Sequence, residues 1–157
     1  MYIEKYLDNY ICGSDDSLTF LEYLESKQTK VVSAGDIIAE TGIGKLNSFQ
    51  NTDYPLVVSI GDFEAEIHYA ITLITDLAAL LLECKVNGSV NISELLEDDF
   101  DCVISITVTE QEHELINKAL MDFAAEPLKY DLCEMVGEEE ISEMSRVCEE
   151  IRKELYE

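Results

Sequence analysis

The chain has 157 residues, 34 Asp and Glu against 10 Lys and Arg, a formal net charge of −24 and 47% hydrophobic residues. This length suits one domain with a buried core, and the apolar content excludes a disordered acidic chain. The charge far exceeds the roughly 2 to 8 units that keep a small domain soluble, and it excludes direct binding to nucleic acid, whose phosphates it would repel.

Two helices are predicted in the first 27 residues. Between Tyr2 and Ile11 the apolar residues fall in neighbouring pairs one turn apart, as in an amphipathic helix, and Gly13 follows. Ser14 is a suitable N-cap for a second helix that runs to about residue 27. We therefore predict a helical hairpin.

Residues 31 to 60 carry shorter signals. The apolar pieces 31–32 and 36–39 are separated by Gly and Ser, which predicts one short element and then a loop through residue 53. The run Leu56–Ile60 is rich in β-branched residues and lies between Pro55 and Gly61, so it predicts a buried strand.

The longest predicted helix extends from about Asp62 to Cys84, because apolar residues recur on one broad face throughout this segment. Its apolar stretch Ala70–Leu82 is only 13 residues and contains Asp76. That is short of the roughly 20 apolar residues that a membrane span requires. We predict the central helix of the core.

The clearest strand pattern is the alternation from Cys102 to Val108, and a short strand is also predicted at Val90–Ile92. Thr109 and Glu112 then have the spacing of a capping box at the start of a helix, which Pro127 ends.

The last 30 residues predict a weak edge strand at Leu128–Leu132 and a final helix after Gly137. That helix has apolar residues at spacings of three and four, which place them on one narrow face. They are Ile141, Met144, Cys148, Ile151 and Leu155. The predicted fold is a single α+β domain spanning residues 1–157, with five or so helices packed on three or four short strands.

The five cysteines (Cys12, Cys84, Cys102, Cys133 and Cys148) include no Cys-x-x-Cys pair and are odd in number. We predict free thiols in a reducing compartment, with Cys84 and Cys102 buried as small hydrophobic residues. The first residues lack a basic region followed by an apolar one, so no signal peptide is predicted. A cytoplasmic location is expected.

Three kinds of chemical site were considered, and each lacks residues that its chemistry requires. The segment 39–46 resembles a phosphate-binding loop, but Ala39 stands in place of the first Gly and Leu46 in place of the magnesium-binding Ser or Thr. Glu64 and His68 are one helical turn apart, which predicts a surface pair and no metal site. No Gly-x-Ser-x-Gly motif is present, and no cysteine has an assignable histidine partner. We predict no catalytic residue, no metal and no cofactor, and hence a protein that is not an enzyme.

An acidic connection with five carboxylates in eight residues precedes the strand at Cys102. Its spacing does not match a calcium loop. Leu95, Leu96 and Phe100 interleave with the acids, and apolar anchors ringed by charge are typical of electrostatic protein interfaces. The predicted partner-binding residues here and at the start of the last helix are Glu94, Glu97, Asp98, Asp99, Phe100, Asp101, Glu138, Glu139 and Glu140. The alternative is a solvated loop between core elements.

In charge, size and lack of catalytic residues, the chain resembles the small acidic immunity proteins with which bacteria neutralise toxins. The resemblance implies a non-catalytic protein that binds a basic partner, such as a nuclease toxin domain. From the charge and the short apolar stretch we expect neither direct contact with nucleic acid nor a membrane. The resemblance includes no motif and therefore assigns no function to any particular residue of this chain.

Two alternative functions also fit a small acidic domain. A nucleic-acid mimic that inhibits a DNA-binding protein would also be small and acidic, with carboxylates spaced along an elongated surface like phosphates. An adaptor or regulatory domain with an acidic surface is the other.

Overall fold

The structure, a computed structural model, describes residues 1–157 and contains seven α-helices, three short 3-10 helices and five short strands. The α-helices are α1 (Asp15–Ser26), α2 (Ala34–Thr41), α3 (Ala70–Asn87), α4 (Ile92–Leu96), α5 (Glu110–Ala125), α6 (Leu132–Val136) and α7 (Glu138–Tyr156). The strands are β1 (Val31–Ser33), β2 (Leu56–Ile60), β3 (Phe63–Ile67), β4 (Val90–Asn91) and β5 (Val103–Thr107). The 3-10 helices are Tyr2–Tyr6, Ile43–Lys45 and Pro127–Lys129. The α+β prediction is confirmed.

The strands form two small sheets. In the first, β5 lies between β1, which is parallel to it, and β4, which is antiparallel. The second is a hairpin in which β2 pairs with β3 from Leu56 opposite Ile67 to Ile60 opposite Phe63. Gly61 opens the two-residue turn with φ of 61°, a conformation that glycine adopts without steric cost.

The helix α3 is the centre of the core, as predicted. Its first 14 residues, Ala70 to Glu83, are all buried, and α1, α5, α7, the first 3-10 helix and the strands β4 and β5 pack around it. A single hydrophobic cluster of 37 buried residues joins α3 to the helices α1, α5 and α7 and to the strands. A helix that is apolar on all sides is expected at this position.

Local capping signals are confirmed at two helices. The Ser14 side chain accepts a hydrogen bond from the Ser17 N–H at the start of α1. At α5, the Thr109 side chain accepts from the Glu112 N–H, while the Glu112 carboxylate accepts from the Thr109 N–H at 3.0 Å. The predicted strand at Cys102–Val108 and the last helix are also present, as β5 and α7.

The predicted helix from Asp62 to Cys84 is wrong at its beginning. The turn at Gly61 reverses the chain, and Phe63–Ile67 pairs with β2 over its whole length. Its alternation of apolar and acidic residues suits a strand, and β2 supplies the partner. The helix therefore starts seven residues later than Phe63, at Ala70, and continues to Asn87.

The predicted helical hairpin at the N-terminus is also wrong. Of the first predicted helix only Tyr2–Tyr6 is helical, as a 3-10 helix, whereas the second is present as α1. The Asp8 carboxylate accepts hydrogen bonds from the N–H groups of Tyr10 and Ile11, and Cys12 has φ of 59°. These local bonds replace the helical ones and turn the chain before α1.

Two shorter predictions need correction as well. Residues 31–41, predicted as one short element, form β1 and then α2, which Ser33 caps by accepting from the Asp36 N–H. The predicted edge strand Leu128–Leu132 is a 3-10 helix followed by the start of α6. Pro127 begins that 3-10 helix, and the Asp131 N–H donates to the Gln50 carbonyl instead of to a strand.

Candidate partner-binding site

The acidic connection predicted to bind a partner begins within a helix. Its first residues belong to α4, whose N-cap Asn91 accepts a hydrogen bond from the Glu94 N–H. Glu97, with φ of 57°, ends the helix. In the turn that follows, the Asp98 carboxylate accepts from the Phe100 N–H at 3.0 Å, before the chain enters β5.

One buried serine fixes this turn to α1. The Ser93 hydroxyl accepts from the Cys102 N–H and donates to the Glu25 carboxylate, both at 3.0 Å. Ser93 is itself buried. The turn is therefore held at its base while its acidic side chains face outwards.

The predicted binding residues of this turn are accessible. Glu94, Glu97, Asp99 and Asp101 are exposed, and Asp98 is half-buried. Phe100 is 73% exposed, an unusual position for a large aromatic side chain. Leu95 and Leu96, also predicted as apolar anchors, are half-buried and pack against the core.

An open groove of about 1160 Å³ lies between α1, the tip of the β2–β3 hairpin and the segment 96–105. Four exposed apolar side chains line it: Leu18, Phe63, Phe100 and Val103. Four carboxylates line it as well: Glu22, Glu25, Asp98 and Asp101. We call this feature the acidic groove. It combines apolar contact area with negative charge, the composition expected of a protein-binding surface.

The carboxyl groups of Glu25 and Asp98 are neighbours in the groove. Burial raises the pKa of Glu25, and hydrogen bonding to the carboxyl group of Asp98 raises it further, whereas the bond from Ser93 lowers it. None of the four groove carboxylates forms an ion pair with a Lys or Arg. Lys30 also lines the groove but pairs with none of them. The groove therefore presents negative charge that the chain does not neutralise.

The second predicted segment, Glu138–Glu140, is exposed in the first turn of α7. Near the C-terminus of α3, Lys85 donates to two carbonyl groups in the last turn of α7, at 2.6 and 3.1 Å. Near the N-terminus of α3, Thr52 bonds both to Ala70 and to Asp131, which lies just before α6. The helices α3 and α7 are therefore parallel, with Glu138–Glu140 at the end opposite α4.

The two acidic segments are consequently far apart. The helix α3 has 18 residues, which corresponds to roughly 27 Å along its axis. The structure brings Asp98, Phe100 and Asp101 together in the acidic groove, and it does not bring Glu138, Glu139 or Glu140 to the same surface.

Sequence reasoning missed the groove residues outside the 94–101 segment. The spacing of Leu18 in the second predicted helix indicates its buried side, and Phe63 lies on the apolar face of the longest predicted helix. Both are exposed, at 49% and 59%. Glu22 and Glu25 were unremarkable acids of α1, and no local signal distinguishes them from other surface glutamates.

A second pocket, of about 550 Å³, contains residues with possible chemistry. His113 Nδ1 lies 2.9 Å from the Tyr156 hydroxyl oxygen, and Cys84 lines the same pocket. Burial raises the pKa of Tyr156 to about 12 and also raises the pKa of the Cys84 thiol. Neither group is activated as a nucleophile, because each is held in its neutral form. The prediction that Cys84 and Cys102 are buried is wrong, because both are only half-buried.

The remaining motifs have structural roles. Gly42, with φ of 80°, ends α2, and a Cβ on Gly44 would lie 2.8 Å from the Ile38 side chain, so packing and helix termination account for the resemblance to a phosphate-binding loop. The predicted pair between Glu64 and His68 is wrong. Glu64 is on β3, so no helix places its side chain beside that of His68. His68 Nδ1 instead lies 3.2 Å from the Asp16 carboxylate.

No three side chains of His, Cys, Asp or Glu lie close enough together to bind a metal ion. No α-helix of the structure combines the length and the apolar composition that crossing a membrane requires.

Comparison with known proteins identifies one family. A family model described as Immunity protein 68 matches residues 2–155, nearly the whole chain. Comparisons with curated proteins and with solved structures gave no match. The predicted resemblance to immunity proteins is confirmed at the level of the family, which supports an immunity function in general and suggests a non-catalytic role. The chain belongs to the Immunity protein 68 family.

Proposed function

We propose that this protein neutralises a basic toxin domain, such as a nuclease, by binding it directly, with association accelerated by electrostatic attraction. The observation that carries the proposal is the excess of unneutralised negative charge. Only eight of the 34 acidic side chains pair with a Lys or Arg. Such a field accelerates the encounter with a positively charged partner, by a factor of about 10 to 1000.

The segment Glu94–Asp101 is the proposed centre of contact. Its carboxylates are exposed beside Phe100 and the other apolar side chains of the acidic groove. Apolar anchors supply the affinity of an interface, and surrounding charges supply specificity and association rate. Both kinds of group are present within this one turn.

Glu138, Glu139 and Glu140 are proposed to help at long range. Their separation from the groove exceeds the Debye length of about 8 Å at physiological ionic strength. They contribute to the attraction of the whole molecule for a basic partner, chiefly at low salt, and not to the same local contact.

A cytoplasmic site of action is also proposed. All five cysteines are free, and Cys148 is fully enclosed in the core. Free thiols are typical of a reducing compartment, where a toxin would meet its target inside the cell.

The test uses an inactivated form of a basic toxin domain, chosen from the products of the genes that neighbour the gene for this chain, with binding followed by stopped-flow mixing at several salt concentrations. The variant reverses Glu97, Asp99 and Asp101 to Lys. These three side chains are exposed and make no hydrogen bond that holds the turn. We expect the association rate constant to fall about tenfold or more, with a weaker dependence on salt.

The matched control reverses Glu138, Glu139 and Glu140 to Lys, which changes the net charge by the same amount at the other end of the molecule. We expect a smaller loss of rate that disappears at high salt. Equal losses for both variants would show that only the total charge matters. A toxin that does not bind the unmodified protein would refute the proposed function itself.

A further inference from the structure

The acidic groove contains two exposed aromatic rings beside a pair of carboxyl groups. Phe100 and Phe63 are 73% and 59% exposed, and both line the groove with Glu25 and Asp98. Large aromatic side chains exposed in a concave surface are typical of binding sites. The groove is therefore the surface of this chain with the strongest indication of a partner.

The carboxyl pair is held in place before any partner arrives. Glu25 belongs to the last turn of α1 and accepts a hydrogen bond from the buried Ser93 hydroxyl at 3.0 Å. Asp98 is fixed by its bond from the Phe100 N–H at 3.0 Å. The two carboxyl groups line the same groove, and no Lys or Arg of the chain pairs with either of them. One cationic group of a partner can bind two carboxylate oxygens at once.

The combination of groups favours arginine over lysine. A guanidinium is planar and presents several donors in a rigid fork, so that it can bind two carboxylate oxygens at once. Its face also stacks on aromatic rings, and it is less strongly hydrated than an ammonium group. Phe63 and Phe100 offer such rings in the same groove as the carboxylates.

The size of the groove indicates a segment of a protein. Its volume of about 1160 Å³ lies above the usual range for small-molecule pockets, roughly 300 to 1000 Å³. Leu18 and Val103 add exposed apolar surface to the groove, which an apolar neighbour of the arginine would cover. The negative charge of the groove is complementary to a basic segment.

We propose that the acidic groove binds an exposed segment of the toxin through one arginine. Its guanidinium binds Glu25 and Asp98 and stacks against Phe63 and Phe100, while an adjacent apolar residue contacts Leu18 and Val103. This inference rests on the proposed function, because it names the part of the toxin that the same surface recognises.

The variants that test it are Glu25→Gln and Asp98→Asn. Each removes one charge but keeps an oxygen that can accept the existing bond, from Ser93 or from the Phe100 N–H respectively. We expect each to weaken the affinity for the inactivated toxin by roughly 10- to 100-fold, mainly through faster dissociation. Glu139→Gln, an exposed acid at the far end of the molecule, is the matched control and should change affinity little.

The identity of the toxin residue is tested by replacing each surface arginine of the toxin with lysine. One replacement should reproduce the loss, and its effect should be non-additive with Asp98→Asn in a double-mutant cycle. Wild-type affinity in both Glu25→Gln and Asp98→Asn would overturn the inference and leave the proposed function standing.

A second measurement tests the groove without the toxin. Short blocked peptides that differ only in Arg or Lys beside a leucine are titrated into isotopically labelled protein and followed by NMR. The arginine peptide should shift the amide signals of Ser93, Phe100 and Val103 more than the lysine peptide, and Asp98→Asn should remove the difference. Equal shifts for both peptides would overturn the inference even if the toxin did not bind.

Discussion

Replacing Asp76 with asparagine is expected to remove much of the pH dependence of this protein's stability. Asp76 is fully buried in the middle of α3. Its Oδ1 accepts a bond from the Cys12 N–H at 2.7 Å, but its Oδ2 has no hydrogen-bond partner. The titratable groups near the Asp76 carboxyl are the Asp16 carboxyl on α1 and the thiols of Cys12 and Cys148. A carboxylate in this position loses its hydration without compensation by a cation.

The direction of this pH dependence follows from the pKa of Asp76 in the folded and the unfolded protein. Burial raises the pKa of Asp76 from 3.8 to about 7, although hydrogen bonding opposes the shift. Between these values the folded state binds the proton and the unfolded state does not, so stability falls as pH rises. Each pH unit in that range costs about 1.4 kcal/mol, which gives a penalty of about 4 kcal/mol above pH 7 and about 2 kcal/mol at pH 5.

The assay is urea unfolding at pH 5, 6, 7 and 8 and constant ionic strength, followed by circular dichroism or tyrosine fluorescence, since the chain has 8 Tyr and no Trp. The difference in unfolding free energy between Asp76→Asn and the unmodified protein should shift in favour of the variant by about 2 to 3 kcal/mol from pH 5 to pH 8. Groups common to both proteins cancel in this difference. Asp53→Asn, on an exposed loop, is the control and should give a constant difference. Parallel curves for Asp76→Asn would refute the reasoning.

Two further predictions concern the cap of α5 and the net charge. Thr109→Ala removes the side-chain oxygen that accepts the Glu112 N–H, and it should cost about 1 kcal/mol and lower Tm by roughly 2 to 4 °C, whereas Ser142→Ala on the exposed face of α7 should not destabilise the protein. An unchanged Tm in Thr109→Ala would contradict the view that this cap fixes the beginning of α5. Moderate sodium chloride should raise Tm, because screening relieves repulsion among carboxylates that have no cation partner. A steady fall in Tm with salt would show that ion pairs such as those of Arg146 and Arg152 matter more.

Elements governed by neighbouring residues were predictable from the sequence. A capping box needs only Thr109 and Glu112, three residues apart, and the alternation around Ile104 needs only that one face of a strand be buried. The acidic character of the whole chain and its resemblance to immunity proteins were also predictable, because charge and composition do not depend on the fold.

Elements whose state depends on pairing with another segment were not predictable in the same way. Phe63–Ile67 has apolar residues that fit the face of a long helix, and its pairing with β2 decides the strand. Similarly, the predicted edge strand does not form, and the Asp131 N–H just before α6 donates to the Gln50 carbonyl. Local propensity is a weak preference, which such tertiary contacts override.

The candidate site also has one part that the sequence predicts and another that it does not. The sequence by itself determined that Asp98, Phe100 and Asp101 form an acidic and apolar turn, since they are neighbours in the chain. Only the tertiary structure decided that Glu25 and Phe63 complete a groove with them and that Glu138–Glu140 lies at the far end of α3. The physical reason is that the groove forms where α1, the hairpin and the turn before β5 pack around one core, and this packing depends on burial across the whole chain.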